Sequence, residues 1–181
     1  MAWSWGAHDE TRPWPDVSRA PVLIIGIGNP SRGDDAIGPA IVARLEQLLA
    51  AEIAGGHVET LVDFQLQLEH TLDIAGREMV FIVDASVVAA ESLVIARIAA
   101  DDAPPAFTHI MSPAALRSAY ERTFGPAPPI WIVAVRGRTF DLGAPIGAEA
   151  MAHLAPAASA IVAVVRGARE RGARPASPAT A

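Results

Sequence analysis

The 181-residue sequence contains no cysteine. Thiol proteases, disulfide scaffolds, iron–sulfur clusters, Cys-ligated zinc and CxxC redox motifs all need that sulfur and are excluded. Lysine is absent too: all 14 basic residues are arginine, against 20 acidic ones, for a formal net charge of −6. Nucleic-acid phosphates are bound by clustered Lys and Arg, so no nucleic-acid partner is expected. Apolar runs are broken by charge, Gly or Pro before the roughly 18 residues of a membrane span, so no membrane partner is expected either. The N-terminal MAWSWGAHDETRPWPDVSRA has no basic segment leading into an apolar one, as a secretory signal would. These absences point to a soluble, cytoplasmic protein, expected to be a monomer, whose chemistry rests on oxygen and imidazole.

What is present is a large apolar fraction, 51% of residues, enough for a substantial core. Residues 1–20 read as an N-terminal extension of Trp, Pro and charge, residues 21–172 as one domain, and residues 173–181 as an unstructured tail. Within the domain, strands are predicted at Val22–Ile25, His57–Val62, Met79–Val83, Leu93–Ile98 and Ile130–Val135. Helices are predicted at Ile37–Leu49, Leu66–Ala75, Pro113–Phe124, entered through Ser112, and Ala148–Arg171, the last kinked or split by Pro156. Continuous Val, Ile and Leu runs suit strands buried on both faces, and their alternation with helices predicts an α/β fold, a three-layer α/β/α sandwich with a mostly parallel twisted sheet. Ligands of such sheets bind beyond the carboxyl ends of the strands.

The first such end carries Gly26-Ile27-Gly28-Asn29-Pro30-Ser31-Arg32-Gly33-Asp34-Asp35-Ala36-Ile37-Gly38. Its glycine spacing is neither the dinucleotide fingerprint nor a P-loop, and the P-loop Lys is missing. One of the adjacent carboxylates is expected to cap the following helix. A second exceeds that need, which makes Asp35 a site candidate. Asp84 ends the run Val80-Phe81-Ile82-Val83, where a buried carboxylate is costly without a partner. Asp63 occupies a similar place and competes with it at a lower rank. Among the five histidines, His109, in the stretch before Ser112-Pro113, is the one placed for chemistry. Asp35, Asp84 and His109 together form an O,O,N set suited to nickel or zinc with positions left open.

These residues, in order and spacing, resemble the hydrogenase maturation endopeptidases, which trim the C-terminus of the large-subunit precursor of nickel-iron hydrogenases after metal insertion. The resemblance runs from Val22 to about Arg166. It rests on G-I-G-N-P-x-x-x-D-D-x-x-G, the Gln65 to Leu72 stretch, Asp84-Ala85, His109 before Ser112-Pro113, and Val135-Arg136-Gly137. It implies that Asp35, Asp84 and His109 are the metal-contacting and catalytic residues, that the nickel is presented by the substrate rather than tightly bound by the protease, and that the partner is the hydrogenase precursor. Some relatives have Glu where Asp35 stands, and some place the histidine just after the Ser-Pro step, where this chain has Ala114. Two alternatives stand beside it. One is a non-catalytic module that checks nickel, to whose interface Trp3, Trp5 and Trp14 would contribute unless, as is the expectation, they only pack across the domain surface. The other is a peptidyl-tRNA hydrolase, which shares the G-x-G-N-P turn but places a histidine segment where this chain has Arg32–Gly38.

Overall fold

The computed structural model describes residues 19–89, 91–98 and 111–173. Five strands form one sheet: β1 (Val22–Ile27), β2 (Val58–Asp63), β3 (Met79–Ser86), β4 (Leu93–Arg97) and β5 (Ile130–Arg136). Their order is β2-β1-β3-β5-β4, so β3 is the central strand. Three of the four strand pairings are parallel, and at one edge β4 runs antiparallel to β5.

Side-chain alternation sends successive residues of each strand to opposite layers. Val22 and Ile24 of β1, Phe81 and Val83 of β3, and Val133 and Val135 of β5 pack with Ile37, Ile41 and Leu45 of α1 (Ile37–Leu48) and Ala157, Ala158 and Ile161 of α6 (Leu154–Ala173). Leu23, Ile25, Val80, Ile82 and Ile130 pack in the opposite layer, with Ile74 of α3 (His70–Ile74) and Leu116 and Tyr120 of α4 (Pro113–Phe124). The expected three-layer architecture is therefore present.

Individual elements depart from the sequence reading. The helix expected over Leu66–Ala75 shrinks to α3. There the His70 Nδ1 accepts the Gln67 backbone N–H (2.9 Å) and the Thr71 hydroxyl donates to the Leu68 carbonyl (2.8 Å), local bonds that compete with the preceding helical turns. The first predicted helix continues beyond Leu49 as a separate α2 (Ala50–Ala54). The last is interrupted at His153, between α5 (Ala148–Ala152) and α6. Pro156 then sits in the first turn of α6, where its missing N–H costs nothing. The span from Ala148 to Glu170 is long and apolar enough to cross a membrane, with a mean hydropathy of 1.6 over its best 18 residues. In this fold its apolar stripe, Ala157, Ala158, Ile161 and Val165, is buried against the sheet and α1.

Helix α1 begins directly above the sheet because Gly38 leaves room for it. A Cβ at Gly38 would lie 2.2 Å from the Ile27 carbonyl oxygen and 2.8 Å from that of Val83. The start of α1 is thereby seated over the carboxyl ends of β1 and β3, where the candidate residues stand.

Candidate active site

The G-x-G-N-P segment leaves β1 through Gly28, at φ 135°, whose Cβ position is occupied by the Asp35 carbonyl oxygen 1.9 Å away. Only glycine fits so close an approach. The chain then turns through Arg32 into a short 3-10 helix, Gly33–Ala36, carrying both aspartates. Neither caps a helix: no side chain caps this turn or α1, which corrects the expectation from sequence. Asp34 is 3% exposed and accepts three backbone N–H groups, from Arg138 (2.7 Å), Thr139 (3.0 Å) and Gly147 (2.6 Å). Burial pushes its pKa up, but the three N–H donors more than offset this and hold it below the usual carboxylate value. Asp34 is thus the structural carboxylate. It fastens the segment after β5 to the turn after β1, helped by Gly33 N–H to Ala144 O (3.0 Å) and Gly143 N–H to Ser31 O (2.7 Å).

Asp35 is half-buried, and its Oδ2 accepts the Asn29 backbone N–H at 3.0 Å. This single bond fixes one oxygen across the turn. Asp84 lies two residues before the end of the central strand rather than at its terminus. Burial raises its pKa to about 7, the Ala85 backbone N–H opposes the rise, and the negative charge of Asp35 adds to it. The last effect shows that the two carboxylates sense one another. At neutral pH Asp84 is poised between its acid and base forms, the condition for proton exchange with a reacting group.

Asp63 ends β2 one strand away. Ile27 of β1 pairs with Asp63, and the preceding Gly26 pairs with Val83, the residue before Asp84. Asp63 Oδ1 accepts the Phe64 N–H (2.6 Å), and its Oδ2 faces Nε2 of the buried His70 at 3.6 Å. His70 Nδ1 lies within hydrogen-bond distance of both the Gln67 N–H (2.9 Å) and the Gln67 carbonyl (3.2 Å), which holds the ring with Nε2 toward Asp63. The Asp63 carbonyl in turn accepts the Gly28 N–H (2.9 Å). The sequence reading placed His70 in a helix without a role. Its spacing from Asp63 was the available signal, but only the fold shows that α3 turns the ring back onto β2.

The structure therefore brings Asp35 and Asp84 together at the carboxyl edge, with Asp63 at the end of β2. His109 lies outside the described residues, as do Trp3, Trp5 and Trp14. Among the described residues no group of three or more His, Asp or Glu side chains is arranged to hold a metal ion. Two oxygen donors on a fixed turn and a central strand are what this part of the chain offers to a cation.

No family model matches the sequence, and no curated protein matches it. Solved structures do. The hydrogenase maturating endopeptidase HybD from E. coli superposes with a TM-score of 0.65 at 26% identity, over 81% of this chain and 93% of that one. A solution structure of an endopeptidase from Escherichia coli gives 0.65 at 27%, over 81% and 93%. The chain is thus similar in fold and sequence to solved hydrogenase maturation endopeptidases. A more distant likeness, the [NiFe] hydrogenase maturation protease HycI from Thermococcus kodakarensis, shares the fold at 21% identity with a TM-score of 0.62, over 83% of this chain and 95% of that one. The superpositions span nearly the whole length of these endopeptidases.

Proposed function

We propose that this chain is an endopeptidase that removes a C-terminal peptide from the large-subunit precursor of a nickel-iron hydrogenase after metal insertion. The observation that carries the reading is the Asp35 and Asp84 pair at the carboxyl edge of a fold shared with maturation endopeptidases. Nickel belongs to the substrate in this reading. The donor set accepts a divalent cation: Asp84, raised chiefly by burial and further by Asp35, gains from a positive charge beside the pair, and an imidazole from His109 would add the nitrogen donor that nickel favours. Bound nickel would polarise a scissile carbonyl or acidify a water beside it. Asp35, held by the Asn29 N–H, presents its oxygen in a fixed direction. Asp84 takes up or releases a proton at its carboxyl group. His109 is proposed as the third contact.

The test is cleavage of a purified cognate precursor, prepared with and without nickel, by wild-type, Asp35→Asn and Asp84→Asn proteins, read by intact mass. Loss of a C-terminal peptide is expected only from the nickel-loaded precursor with wild-type protein, with each variant slower by 100-fold or more. A nickel-loaded precursor that binds tightly yet stays uncut would overturn the endopeptidase reading in favour of a checking module.

A further inference from the structure

Strand β2 pairs with β1 on one side only, and its outer side has no strand among the described residues. Its register shows which main-chain groups are left over. Val22 N–H bonds to His57 O (3.2 Å) and Gly28 N–H to Asp63 O (2.9 Å), so the odd-numbered residues face β1. The alternation of a parallel ladder turns the N–H and C=O groups of Thr60 and Val62 outward. Beside them the surface is apolar: Val62 is 47% exposed and Phe64 66%. Where β2 meets the turn after β1, a hollow of about 360 Å³ is lined by Gly28, Pro30, Val62, Asp63 and Phe64. Its Gly28 edge adjoins Asp35, since a Cβ there would lie 3.5 Å from Asp35 Oδ1.

We infer that the open edge of β2 receives an extended segment of the protein substrate as an added strand, with an apolar side chain of that segment in the hollow beside Gly28. This rests on the endopeptidase reading and names how its substrate is held. Outward N–H and C=O groups repeating every second residue are met in full by another extended backbone, which an apolar helix or a small ligand does not supply. The added strand lies one spacing outside β2, about 4.8 Å. At the carboxyl end of β2 it passes the hollow and turns over Gly28 toward Asp35. Main-chain bonds give the affinity, and the hollow between Pro30 and Phe64 selects the side chain.

Two variants test it with wild-type protein as reference. Val62→Pro removes one outward donor at an edge position where proline is tolerated. Phe64→Glu charges the wall of the hollow. Binding of nickel-loaded precursor is measured by biolayer interferometry, cleavage by intact mass, and amide exchange of β2 by mass spectrometry with and without precursor. Melting temperatures establish that both variants are folded. The expected result is slowed exchange at Thr60 and Val62 on adding precursor to wild-type protein, and at least tenfold weaker binding and higher KM in both folded variants, with kcat within about twofold. Variants that bind and cleave like wild type, with unchanged exchange at Thr60 and Val62, overturn the inference and leave the endopeptidase reading intact. Wild-type protein that binds through this edge without cutting supports the inference and removes the endopeptidase reading. Light scattering that shows a dimer, made monomeric by Val62→Pro, assigns the edge to a second copy and overturns the inference.

Discussion

Asp34 and Asp35 are neighbours in the chain with unrelated partners: Asp34 holds three backbone N–H groups of residues 138–147, and Asp35 holds the single N–H of Asn29. The adjacent carboxylates divide support and chemistry between them. The first fixes the turn, and the second is left with an oxygen to offer.

Asp34→Ala should therefore behave as a stability variant. It deprives three backbone donors of their acceptor, at a cost of about 2–4 kcal/mol, measured by urea unfolding at pH 7. Because the folded-state pKa of Asp34 is depressed, its contribution is fully present above the ordinary aspartate value and disappears as pH falls through the lowered one. The gap between variant and wild type should narrow only in strong acid. A gap that is constant with pH would show that the carboxylate charge plays no part.

Asp35→Asn should behave in the opposite way. The amide oxygen can still accept the Asn29 N–H, so the melting temperature should stay within about 2 °C of wild type, less than a 1 kcal/mol change would give in a chain of this size. Cleavage should nevertheless fall by 100-fold or more. Loss of fold together with activity would move Asp35 from the chemistry to the scaffold.

Asp84 tests the sign of an unfavourable group. Its folded pKa of about 7 lies above the ordinary aspartate value of 3.8, so the folded protein keeps a proton that the unfolded chain has released between those two values. Stability from this residue is highest below pH 3.8, declines as pH rises toward 7, and is level above that. Asp84→Asn removes the penalty. In metal-free buffer the variant should melt roughly 3–8 °C above wild type at pH 8, with the advantage shrinking toward pH 5. Equal melting temperatures throughout would show that Asp84 is not strained by burial.

Gly38→Ala should disturb the seat of α1. The added methyl meets the Ile27 and Val83 carbonyl oxygens, which are backbone and cannot swing aside. A loss of about 1–3 kcal/mol is expected in chemical denaturation, with cleavage reduced because α1 and the aspartate turn shift together.

Much of this architecture is legible in the residues. Ile24, Ile25, Phe81, Ile82 and Val133 lie in uninterrupted apolar runs because β1, β3 and β5 are covered on both faces. Ser112 announces α4, and its hydroxyl accepts the Ala115 N–H at 3.1 Å. Asp84 stands out because a carboxylate that ends the apolar run of a central strand is costly to bury, and the Asp34-Asp35 pair stands out because two adjacent carboxylates exceed the needs of one turn. What is not legible depends on distant partners. Asp34 meets groups 104 to 113 positions away, so no local pattern separates it from Asp35. The antiparallel direction of β4 is a property of its pairing with β5, not of its five residues. His70 reads as a helix residue until α3 folds back and sets its ring against Asp63.

The clasp formed by Asp34 also sets an order of events during synthesis. Its acceptor oxygens are made early, while the last of its donors, Gly147, is translated more than a hundred codons later. A nascent chain that has finished β1, β2 and β3 already owns Asp35 and Asp84, yet the turn that presents Asp35 is unlatched. The central strand also still lacks β5 along its other side. The site closes only after Gly147 has been made, so until then a ribosome-bound chain carries its carboxylates without the frame that aims them.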